Sequence, residues 1–176
     1  MTRFHMLAAA AGIAACSVST GFAAEAVLPT ADSVFTKWGE AEGWTVYVDE
    51  TRKSCLIERI DDAGNVVQMG LTQDHDFGYV GVFTQADLGF DSGKEKVILS
   101  LDGNLYEGEI QRKTKNLSDG YKGGYVLSQN AQFIEDLQKK YEMTVNPEHQ
   151  NSFTVSLAGS LKAIEAARDC TKEQMS

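Results

Sequence analysis

Four groups of side chains in this 176-residue chain have types and spacings that could do chemistry. The first is the three cysteines, Cys16, Cys55 and Cys170. His75 stands between Asp74 and Asp76, and a carboxylate beside an imidazole can raise its pKa and orient it as a general base. Sequence neighbours on a loop commonly point apart, however. No serine or cysteine nucleophile can be assigned to His75, so a solvated loop is the reading preferred over a catalytic or metal-binding one. Glu107 and Glu109 share one face of a strand by the two-residue period, with Asp102 close in sequence. Such a pair could hold a cation or serve as acid and base, but it is more often the wet face of an edge strand. Tyr121 and Tyr125 flank the Gly123-Gly124 step on one strand face. They are the candidates for lining a binding groove, against the plainer reading of packing within a hairpin.

The remaining motifs exclude more than they suggest. His149 has little chemistry around it, and His5 falls in the leader-like segment. The chain has no P-loop, no GxSxG elbow, no HExxH and no dinucleotide fingerprint, so no cofactor is expected. The glycine-rich stretch at 120–125 does not open a helix and lacks the geometry of a phosphate cradle. The net charge of −9 disfavours phosphate backbones and anionic lipid surfaces. The densest basic cluster, at 111–115, is too short for a nucleic-acid stripe.

The cysteines are read through the first 23 residues. Arg3 is followed by an apolar run at 6–15 and then by small residues up to Ala26. That is the layout of a secretory signal: charged start, short apolar centre, small-residue cleavage site. The run is too short to span a bilayer, which takes about 20 apolar residues. Cleavage after Ala23 or after Ala26 satisfies the pattern. The expected organisation is a signal at 1–23, an irregular N-terminal arm or short helix at 24–42, and a single β-rich domain at 43–176. Removing 1–23 takes away Arg3 and no acid, so the net charge becomes −10. The expected location is the periplasm. The alternative is an outer-membrane lipoprotein acylated at Cys16, because Ile13–Cys16 fits the short lipidation pattern.

With Cys16 gone or lipidated, Cys55 and Cys170 are left, and two lone cysteines in an oxidising compartment usually pair. The alternatives are two reduced buried thiols or a metal site. For the latter there is no CxxC partner and no completing histidine.

The elements that must position these residues are mostly strands. Period-two alternation marks 43–50, with Trp44, Val46 and Val48 on one side. Strands at 54–60 and 66–71 flank the turn cluster 61–65 and read as a hairpin. Residues 77–84 form a further strand and 85–96 a loop. Asp102-Gly103 marks the clearest hairpin, between 97–101 and 105–110. A strand covers 121–128. The period then changes: Phe133, Leu137 and Tyr141 recur every four residues after Asn130, a suitable N-cap. Strands return at 143–146 and 152–158. The segment 160–170 is helical, with Ala163, Ile164, Ala167 and Cys170 on its inner arc and Leu161 at its start. Seven to nine strands and two short helices near the C-terminus predict a mainly β fold, an antiparallel β-sandwich or open barrel.

Two segments, 43–59 with its Trp strand and cysteine strand, and 152–167 with its strand, glycine and Ala-rich helix, resemble the invasion-associated locus B family of alphaproteobacterial envelope proteins. The resemblance covers about a third of the chain. It implies a small, exported, β-rich protein without established enzymatic activity. The chain departs from the family pattern in having Tyr47 or Val48 where typical members carry a further cysteine, and no residue here can be matched to an invasion role. Taken together, these features predict a non-enzymatic binding or structural module of the envelope, partnered by a protein or other envelope component. The alternatives are a hydrolase or metal-dependent enzyme centred on His75, and an inhibitor acting through loop 85–96.

Overall fold

A computed structural model describes residues 26–28, 33–72, 77–86, 94–113, 117 and 120–176. The fold is mainly β and wholly antiparallel. The strands are β1 (Phe35–Ala41), β2 (Trp44–Asp49), β3 (Ser54–Ile60), β4 (Val66–Leu71), β5 (Gly78–Thr84), β6 (Lys94–Leu101), β7 (Asn104–Lys113), β8 (Lys122–Ser128), β9 (Glu142–Val145) and β10 (Phe153–Ser156). The helices are α1 (Ala131–Lys139) and α2 (Ser160–Gln174). Strand order is β1-β2-β3-β4-β5-β8-β7-β6-β9-β10, and the two end strands leave the sheet open rather than closed into a barrel.

The sheet divides into a six-stranded section ending at β8 and a four-stranded section starting at β7. Among the described residues three pairs join them, Gln111–Lys113 of β7 against Gly123–Tyr125 of β8. The sections fold onto a shared core. Val46, Ile57, Met69 and Val80 of the larger section pack in one cluster with Leu99, Met143 and Val155 of the smaller and with Phe133, Ala163 and Cys170 of the helices. This sandwich-like arrangement agrees with the fold class predicted from strand periodicity.

Local chemistry accounts for the connections. Asp102 and Gly103 both have positive φ and close the β6–β7 hairpin in two residues, as the sequence predicts. Asp61 shapes the β3–β4 turn by accepting hydrogen bonds at Oδ1 from the backbone N–H groups of Ala63 and Asn65. Asn130 caps α1 with its side-chain oxygen, which accepts from the N–H groups of Gln132 and Phe133.

Part of the segment expected to be an irregular arm is a strand. β1 pairs with β2 through a two-residue turn at Glu42-Gly43, again with both φ values positive. Its alternation is hidden because the register shifts between Lys37 and Gly39, and its exposed edge is polar. Trp38, the inserted residue, donates its indole N–H to Glu173 of α2 at 2.9 Å; a bulge redirects a side chain in this way. Two smaller corrections concern lengths: β6 begins at Lys94, inside the segment read as loop, and α2 runs on to Gln174. Leu161, placed at the helix start as a packing residue, is largely exposed, because it lies on the charged side of α2.

Candidate functional site

The disulfide is formed between Cys55 on β3 and Cys170 on α2, with Cα atoms 6.0 Å apart. Cys55 alternates onto the core face of β3 with Ile57, and Cys170 lies on the inner side of α2 with Ala163 and Ala167. One turn of helix chemistry reinforces the bond: the Cys55 backbone N–H donates to Thr171 Oγ1 at 2.9 Å. Trp44 anchors the other end of this helix by donating its indole N–H to the Ala158 carbonyl at 2.9 Å. The same carbonyl accepts from Arg59 Nη1 at 2.7 Å.

The helix held in this way forms one wall of an apolar cleft of about 110 Å³. Its floor is Cys55, Ile57 and Met69 of the sheet, and its opposite wall is Phe133 and Leu137 of α1. Ile164 and Ala167 face it from α2, and Gln138 and Arg168 also line it. α1 is fixed in turn by Asp136, whose Oδ2 accepts from Asn104 Nδ2 at 2.7 Å and from the Tyr106 hydroxyl at 2.6 Å. That bond and burial push the Tyr106 phenol up to about 12.

A second built site lies on the opposite face of the six-stranded section. Glu58 of β3 and Gln68 of β4 are register partners, and both side chains are buried, Glu58 at 3 % exposure and Gln68 at 0 %. Gln68 Nε2 donates to Glu58 Oε2 at 2.6 Å and to the Val27 carbonyl at 2.7 Å. Its Oε1 accepts from the Tyr125 hydroxyl at 2.7 Å. The Val27 N–H points at the Glu58 carboxylate, 3.2 Å from Oε2 and 3.4 Å from Oε1. Burial raises the Glu58 carboxyl to about 7, against the opposing effect of the Gln68 and Val27 hydrogen bonds. Among the described residues no cationic side chain forms an ion pair with it.

Tyr125, a candidate groove residue, is thus a packed member of this network. Its ring covers Gly81 and meets Tyr79 and Phe83 edge-on at 5.4 and 5.3 Å between centroids. A Cβ at Gly81 would come within 2.6 Å of the Tyr125 ring, so the missing side chain makes room for the aromatic. Tyr121 is half-buried beside the second cluster of Val27, Val66 and Phe83. Glu107 and Glu109 are exposed on β7 opposite Ile98 and Lys96. His75, Asp74 and Asp76 lie outside the described residues, as do Cys16 with the segment 1–23 and most of loop 85–96. No group of three or more metal-ligating side chains converges among the described residues. Neither is any described helix long and apolar enough to cross a membrane.

Sequence reading missed Glu58 and Gln68. One signal was available: the hairpin centred on the turn at 61–65 places residues 58 and 68 directly opposite each other. No family model, curated protein or solved structure matches the chain.

Proposed function

We propose that this protein is an exported, non-enzymatic module of the bacterial envelope that receives one apolar group, the size of a leucine or phenylalanine side chain, in the cleft between α1, α2 and the sheet. The observation that carries the reading is the cleft itself: an open apolar recess with its floor on the disulfide strand and its walls on two tethered helices. Ligand sites are typically concave and mostly apolar, with a few polar groups setting orientation, and Gln138 and Arg168 are placed for that role. The secretory layout of 1–23 and the pairing of Cys55 with Cys170 support an oxidising compartment. The likeness of 43–59 and 152–167 to invasion-associated locus B proteins supports the envelope.

The test is a methyl-NMR titration with N-acetyl-phenylalanine amide. Saturable shifts are expected at Ile57, Met69, Leu137 and Ile164, and Ala167→Phe, which fills the cleft, abolishes them. Shifts that never saturate, or that ignore the Ala167→Phe change, refute the binding role.

A further inference from the structure

The Glu58 site has one property that the cleft does not explain: a buried carboxylate whose partners are the neutral Gln68 amide at 2.6 Å and the Val27 backbone nitrogen at 3.2 Å, with no positive charge among them. Residue 27 is held by each of its handles. Its N–H meets Glu58, its carbonyl accepts from Gln68, and its side chain is fully buried against Val66 and Phe83. A peptide N–H offers one hydrogen, yet both carboxylate oxygens lie within 3.4 Å of this nitrogen. An α-ammonium at the same place would offer three hydrogens and the missing positive charge. In sequence, Ala24 and Ala26 put small residues at both positions that signal-processing endopeptidases read.

We infer that the Glu58–Gln68 site is a receptor for a new N-terminus, generated by cleavage of the Ala26–Val27 peptide bond. In that hydrolysis water adds across the amide. The C–N bond breaks, the Ala26 carbonyl carbon takes the hydroxyl and becomes a carboxylate, and the Val27 nitrogen takes protons and becomes an ammonium. The ammonium then forms a buried ion pair with Glu58, while the remaining contacts of Val27 stay as they are. Removing the signal thereby completes the fold, since a buried charge left without its partner is costly and a hydrogen-bonded pair is tolerated. Among the described residues, the other titratable groups facing Glu58 are Tyr47, Tyr121 and Tyr125, all raised above their ordinary value with Glu58 as one contributor. They stay neutral across the range in which Glu58 and an α-amine titrate. The inference rests on the export reading, and the experiment separates the two.

Two chains are prepared by cleaving a fusion that leaves no extra residue, one beginning at Val27 and one at Ala24. The Glu58 side-chain carboxyl is followed by carbon-13 NMR against pH, and melting is measured at pH 7.5. The Val27 chain is expected to titrate Glu58 below its ordinary 4.5, while the Ala24 chain titrates it near 7. The Val27 chain should also melt higher, and Glu58→Gln should remove that difference. Identical titration curves in the two chains overturn the inference without any mutant being needed. Mass spectrometry of exported protein gives the second arm. A mature chain starting at Val27 supports the receptor site. One starting at Ala24, or at a lipidated Cys16, overturns it and leaves export standing. An unprocessed product counts against both.

Discussion

Glu58 gives the described residues a pH signature near neutrality as long as the Ala26–Val27 bond is intact. Its folded pKa of about 7 lies above the ordinary 4.5, so between these values the folded state holds a proton that the unfolded state has released. Folding stability therefore falls as pH rises through that window; below it nothing is lost, and above it the loss is constant. The shift corresponds to about 3 kcal/mol as an upper figure, a large share of the ~5–15 kcal/mol a domain this size has. Urea unfolding of the chain beginning at Ala24, measured from pH 4 to pH 8, should show this decline, and Glu58→Gln should flatten it. A flat wild-type profile would mean that water reaches the carboxylate. This site was not legible residue by residue, because Glu58 in "SCLIERI" looks like an ordinary polar alternate. Its burial comes from residue 27, thirty-one positions away, and that contact leaves no local pattern.

At the level of elements, the sequence speaks where chemistry is local. Asp102-Gly103, the Asp61 turn and the Asn130 cap lie where the side chains that shape them are found, since each acts within four residues. β1 escaped because its bulge breaks the two-residue period and Trp38 turns toward α2. The inner arc of α2 was legible, and with it the disulfide. That bond closes a separation of 115 residues, for which loop-closure entropy gives roughly 4–5 kcal/mol at most and common measurements give about 2–4. Cys170→Ala with Cys55→Ala should lower the melting temperature by about 5–15 °C for a chain of this length. Because α2 is a wall of the cleft, the same variant should bind N-acetyl-phenylalanine amide more weakly even at temperatures where circular dichroism still reports an intact sheet. Unchanged binding would show that Trp44 and Thr171 suffice to hold the helix.

For the whole molecule, the decisive feature is how two sheet sections, joined by three residue pairs among the described residues, behave as one body. They share the core, with Val82 and Val126 in one cluster with Val97 and Met143, so neither section can lose its packing without exposing the other. β8, the strand that carries the join, is itself held against β5 by a close backbone approach at Gly123. A Cβ there would lie 2.0 Å from the Val82 carbonyl oxygen and 2.7 Å from the Phe83 ring, and neither backbone nor a fully buried phenylalanine can move aside cheaply. Overpacking of this kind costs about 1–3 kcal/mol and sometimes more. Gly39, on the edge strand, has nothing within 4 Å of the same imaginary atom and serves as the control. Gly123→Ala should therefore lower the melting temperature clearly, while Gly39→Ala leaves it within a degree or two. The shape of the transition distinguishes one body from two. A shared core requires that calorimetry of Gly123→Ala still show a single cooperative peak, displaced as a whole. Splitting into two peaks would mean that the six-stranded and four-stranded sections fold independently and that the seam, rather than the common core, was what coupled them.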